Sequence, residues 1–144
     1  MENKVISCTF EICWKHLGNI GVDDTGKLTF PKTSKSPAIY KFQIIRNNKL
    51  HASYIGETEI LNRRFYHYRA PGPSQHTNIR INKSFLDELA NGSVIDIYLI
   101  TENAWIITGQ TKKLADLTKK PVRRALEHTL QIIEGEQDIE YLNR

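Results

Sequence analysis

Two cysteines and one methionine in 144 residues leave several architectures without their materials. Cys8 and Cys13 have no second pair to complete a zinc site and are too few for a disulfide scaffold, so a reducing, cytoplasmic setting is expected. No apolar run approaches the roughly 18 residues that a membrane-spanning helix needs. Met1 to Phe10 has an acidic second residue and no unbroken apolar stretch, so no secretory signal and no membrane partner are expected. The histidines, His16, His51, His67, His76 and His128, show no paired metal spacing. No phosphate-cradling glycine-rich loop precedes a helix, which excludes a nucleotide-driven motor, and no Gly-x-Ser-x-Gly turn offers a serine nucleophile.

What remains is an ordinary globular composition, 40% hydrophobic and 25% charged, with a net charge of +4. The charge is unevenly spread. From Pro37 to Asn91, Lys41, Arg46, Lys49, Arg63, Arg64, Arg69, Arg80 and Lys83 face Glu57, Glu59, Asp87 and Glu88, so the whole excess sits in the middle third. A second basic knot runs from Lys112 to Arg124 and is offset by the acidic stretch from Glu134 to Glu140. Such blocks serve either as solvated faces or as a polyanion footprint, and only chemistry between them separates the two.

The opening alternates Ile6, Cys8, Phe10 and Ile12 at period two, which predicts a half-buried strand with Cys8 in the core. Asp23 to Gly26 predicts a turn before a short strand over Lys27 to Phe30, and Pro31 to Pro37 a connector. Residues 1–36 are therefore expected to form a β-rich extension packed on a main domain over 37–144. Ala38 to Ile45 and Leu50 to Ile55 predict a hairpin turning at Asn47-Asn48 and ending at Gly56. A helix capped by Thr58 should run to about Tyr68, and a second should open at Asn82 or Lys83 and close before Gly92. Val94 to Ile100 predicts a strand, and Trp105 to Thr108 is ambiguous. A final helix has Pro121 in its first turn and Val122, Leu126, Thr129, Leu130 and Ile133 as its apolar stripe. The order is α+β, a small antiparallel sheet flanked by helices.

Two tyrosines, Tyr40 and Tyr54, fall on adjacent hairpin strands. On the helix that follows, with Leu61 at zero, Phe65 lies near about +40°, Tyr68 near −20° and Arg64 near −60°. Arg64 and Tyr68 thus share the face that packs on the tyrosine hairpin, while Arg63 and His67 fall on the far side. Bringing an arginine to a sheet is costly unless an anion meets it, and phosphate is the obvious candidate.

Ala38-Ile39-Tyr40, then Tyr54-Ile55-Gly56, then Leu61 with Arg64 and, one turn on, Tyr68 resembles the GIY-YIG nuclease superfamily over about Pro37 to Ile133. The first motif departs from the family pattern in having Ala38 for glycine. The resemblance implies the GIY-YIG fold and a catalytic set of Tyr40, Tyr54, Arg64, Tyr68 and Glu127. It makes Glu127 the ligand of Mg²⁺, with Mn²⁺ as a substitute. Arg64 would hold the scissile phosphate, Tyr54 or Tyr40 would take the proton of the attacking water, and Tyr68 would orient phosphate or water. Glu127 also stands i,i+4 from Arg123, where an ion pair is the alternative, and Glu57 serves either the metal or the helix cap. The family asparagine has Ile139 at its place and Asn143 as the nearest candidate.

The expected activity is Mg²⁺-dependent hydrolysis of double-stranded DNA to 5′-phosphate and 3′-hydroxyl ends, by a restriction-type enzyme acting as a homodimer. Arg69, His76, Arg80, Lys83, Lys119 and Lys120 are the expected nucleic-acid contacts. A nicking repair or recombination nuclease subunit and a catalytically silent nucleic-acid-binding module are the alternatives.

Overall fold

The computed structural model describes residues 3–135 and 140–141. The elements run β1 (Thr9–Ile12), β2 (Lys15–Asn19), β3 (Gly21–Val22), β4 (Leu28–Thr29), β5 (Ala38–Arg46), β6 (Lys49–Thr58), α1 (Leu61–Arg69), α2 (His76–Ala90), β7 (Val94–Ile100), β8 (Ala104–Thr108), β9 (Thr111–Leu114), α3 (Lys120–Gly135) and β10 (Glu140–Tyr141). The main sheet has the order β10-β6-β5-β7-β2, beside a three-stranded sheet β1-β8-β9 and the hairpin β3-β4. Every pairing is antiparallel except that of β10 with β6. The fold is α+β, as expected. No helix among the described residues is long and apolar enough to cross a membrane.

Alternation along β5 and β6 divides the core in two. Ala38, Tyr40, Phe42 and Ile44 face one side with Ala52 and Tyr54, under Leu61, Phe65 and Tyr68 of α1 and Ile81 and Phe85 of α2. Ile39 and Ile55 face the other side, against Leu126 and Leu130 of α3. The central hairpin is longer than the sequence predicts. It turns through Asn47 and Asn48 at φ 51° and 63°, the left-handed pair that a two-residue hairpin turn demands. At its far end β6 does not stop at Gly56 but continues to Thr58, and Gly56 pairs with Tyr40. A side chain at Gly56 would run into the Tyr40 phenol, so glycine here makes room for an aromatic ring on the neighbouring strand.

Several expectations are corrected. Ile6 and Cys8 are exposed; the strand begins at Thr9, and only Phe10 and Ile12 reach the core. Thr58 does not cap α1, which starts at Leu61; its hydroxyl closes a turn on Ile60, and the first amides of the helix donate to Ser36 and Ser34 carbonyls instead. Helix α2 opens at His76, six residues before Asn82. On α3 the buried positions are Arg123, Leu126, Leu130 and Glu134, while Ile133 is exposed. The stripe is rotated by roughly 60° from its hydropathic phase. Trp105 lies in a strand, and β2, an edge strand beside β7, was not foreseen.

The fit of Gly56 under Tyr40 is testable. Tyr40 is wedged among Phe42, Tyr54, Phe65 and Tyr68, so its ring cannot step aside cheaply. Gly56→Ala should lower stability by about 1–3 kcal/mol in urea denaturation. An unchanged midpoint and slope would show that the ring yields.

Candidate active site

The β5–β6 hairpin and α1 meet at one pair of hydroxyls. Tyr40 Oη and Tyr68 Oη lie 2.7 Å apart in a buried hydrogen bond. Both phenols are essentially inaccessible, and both are pushed above the ordinary phenol range, chiefly by burial. Tyr54 adds to the rise in both, whereas the Arg64 cation pulls Tyr40 back down. Tyr54 is only half-buried, its ring 6.5 Å from that of Tyr68 in an edge-on contact. The predicted face of α1 is therefore the observed one: Leu61, Phe65 and Tyr68 are buried.

Arg64 stands on the flank of that face, half-buried. Burial opposes its charge, but the oxygens of Tyr40, Tyr68, Tyr54 and Glu57 outweigh it and hold the guanidinium above its usual range. No neutralising ion pair engages Arg64 among the described residues. It is a permanent cation presented to solvent from beside three phenols, the arrangement that a tetrahedral oxyanion would complete.

Glu127 comes to the same end of the sheet from the opposite face. Its carboxyl is raised, first by burial and then by Glu57, and partly relieved by His128, the Glu57 backbone amide and Arg124. Tyr40 senses Glu127 as well as Arg64, so the three belong to one electrostatic cluster. The ion pair weighed between Glu127 and Arg123 does not form. Arg123 Nε donates to Glu57 Oε2 at 2.6 Å, and its Nη1 donates to the carbonyls of Leu117 and Thr118. Glu57 thus neither caps α1 nor stands free. It locks α3 to β6 and brings a second carboxylate near Glu127. Sequence reasoning missed this pairing because its partners lie 66 positions apart.

The expected nucleic-acid contacts separate into three groups. His76, Arg80 and Lys83 are exposed on one stripe of α2, spaced four and three apart, and His76 shares a groove with Arg64. Lys119 and Lys120 are exposed where α3 begins. Arg69 is committed internally, donating to Asp23 Oδ2 at 2.7 Å and to the Leu28 carbonyl at 2.6 Å, which pins the β3-β4 hairpin to α1. The Asp23 carboxyl is held well below the usual range by the Thr25 hydroxyl, Arg69 and the backbone amides of its turn. Asn143 and Ile139 lie outside the described residues.

The buried tyrosine pair has a signature in alkali. An unfolded phenol ionises near pH about 10, so stability should hold below that pH and fall above it by about 1.4 kcal/mol per unit for each phenol that stays protonated in the fold. Spectrophotometric titration should show two of the six tyrosines ionising only with unfolding. Tyr40→Phe should remove one of these late titrations. If all the phenols titrate together before unfolding, the pair is not sealed.

No family model matches the chain, and no curated protein does. Among solved structures the chain is similar to a glutamate-to-alanine variant of bacteriophage T4 EndoII, with a TM-score of 0.58 and 18% identity over 85% of this chain and 88% of that one. The likeness is one of fold, and it spans nearly the full length of both chains.

Proposed function

We propose that the chain is a Mg²⁺-dependent DNA endonuclease that hydrolyses a phosphodiester to leave 5′-phosphate and 3′-hydroxyl ends, with Mn²⁺ able to replace Mg²⁺. The observation that carries this reading is Arg64, without a carboxylate ion pair among the described residues and set beside the buried Tyr40–Tyr68 hydroxyl pair, with the half-buried Glu127 carboxyl acting on the same Tyr40 phenol. The likeness in fold to bacteriophage T4 EndoII supports the same class of activity.

A divalent cation fits this donor set. Glu127 carries a charge that burial and Glu57 disfavour, and a cation beside it would relieve both. Mg²⁺ keeps most of its waters and needs few protein ligands, so one half-buried carboxylate can hold it. When bound, the ion would neutralise charge gathering on the phosphate. Arg64 would hold the scissile phosphate and stabilise its added negative charge. Tyr54 is the tyrosine suited to accept the proton of the attacking water, because Tyr40 is buried and tied to Tyr68. Tyr68 would act by fixing Tyr40, Tyr54 and the rotation of α1.

The basic stripe of α2 and the lysines at the start of α3 lie on the catalytic unit itself. This favours a restriction-type enzyme that reads duplex DNA through its own surface, with two copies cutting the two strands.

Supercoiled plasmid should be nicked or linearised in Mg²⁺ and left intact in EDTA, with ends that ligase can rejoin. Tyr68→Phe should slow cleavage at least about tenfold, the loss expected when one positioned hydrogen bond leaves an active site. Glu127→Gln should abolish cleavage, keep DNA affinity and lose any rise in melting temperature that Mg²⁺ gives the parent protein. Cleavage by Glu127→Gln within about threefold of the parent, roughly 0.6 kcal/mol in barrier, would remove Glu127 from the site.

A further inference from the structure

Helix α1 is built against its own electrostatics. Arg63 and Arg64 stand in its first turn, His67 follows one turn after Arg63, and the helix contains no acidic residue. The first turn is the end where the helix dipole disfavours cations, and adjacent like charges repel. Neither arginine is relieved by a carboxylate ion pair among the described residues. By contrast, Arg46, Arg69 and Arg123 each have one.

These side chains converge rather than splay. Thr58, Arg63, Arg64, His67, Gln75 and Asn78 line a pocket of about 320 Å³ that contains no carboxylate. Its floor is fixed: Gln75 Oε1 accepts from the Gly72 amide at 2.9 Å and from Nδ2 of the buried Asn78 at 3.2 Å. Past Arg64 the groove continues to Ser74, His76 and Thr77 at the start of α2. An extended polyanion laid along it would meet Arg63 with His67, then Arg64, then α2.

We propose that this groove holds a second phosphate of the DNA backbone, with Arg63 and His67 gripping the phosphate next to the scissile one that Arg64 takes. The proposal rests on the endonuclease reading and adds to it a subsite on the outer face of α1. A planar guanidinium beside a ring nitrogen offers donors matched to non-bridging phosphate oxygens. The occupant would also offset the charge of Arg63, which stands in the first turn, where the helix dipole disfavours a cation.

The test is the salt dependence of binding, measured by anisotropy on a labelled mixed-sequence duplex in EDTA so that nothing is cut. Arg63→Ala should weaken binding about tenfold at moderate salt and reduce the slope of log affinity against log salt by about one. Arg63→Lys should keep the slope, His67→Ala should weaken binding in the same direction, and Lys49→Ala, at the other end of the hairpin, should change neither. If Arg63→Ala and His67→Ala both bind with the parent's affinity and slope, the subsite does not exist, while the endonuclease reading stands. If the parent protein neither binds nor cuts duplex DNA, that reading falls and the subsite falls with it.

Discussion

The hydrogen bond between Tyr40 and Tyr68 is the constraint on which the site depends. It is the point where the central hairpin grips α1, and α1 carries Arg64. A buried hydroxyl pair contributes only about 1 kcal/mol net, but leaving either oxygen unpaired in the core costs about 1–3 kcal/mol. That asymmetry fixes the rotation of the helix more firmly than apolar packing alone, which tolerates slippage. Gly56 is part of the same device: without a side chain it lets the Tyr40 ring lie across β6 and reach the helix.

The charge pattern acquires direction from what the fold consumes. Lys41 pairs with Glu134 at 2.7 Å, Arg46 with Glu88, Arg69 with Asp23 and Arg123 with Glu57. Each pairing joins distant segments, and two of the cations, Lys41 and Arg123, are themselves buried. Such pairs add little net stability, because desolvation offsets attraction, but a partner left alone in the core would be costly. They therefore act as registration marks for β5, β6 and α3. Among the described residues that form no carboxylate ion pair, Arg64 stands beside the tyrosine site and Arg63 next to it on the outer face of α1, which turns a modest overall basicity into a local field.

The grouping of residues at the candidate site was more legible in the sequence than the architecture around it. Tyr40, Tyr54, Arg64 and Tyr68 lie within one hairpin and the helix after it, where periods of 2 and 3.6 are local and carry phase. The Asn47-Asn48 turn was legible for the same reason. Helix α3 was not, because half of its buried stripe is charged: Arg123 and Glu134 find their partners on β6 and β5, far away in sequence. Hydropathy therefore selected Ile133 and turned the helix too far. Helix α2 was shortened because its first turn is polar where it lines the groove, with Asn78 buried by hydrogen bonding to Gln75. Strand β2, Lys-His-Leu-Gly-Asn, is a polar edge strand with an irregularity before Gly18, and it gives no alternation to detect.

If the tyrosine pair is the hinge that sets Arg64, its two hydroxyls must act as one unit. A double-mutant cycle on the rate of phosphodiester hydrolysis, with Tyr40→Phe, Tyr68→Phe and the double variant, measures this directly. The account predicts that each single variant loses at least about tenfold and that the double variant is slower than the worse single by no more than about threefold. Losses that multiply, so that the double variant falls by the product of the two singles, would mean that the hydroxyls act independently and that the hinge is not what positions the arginine.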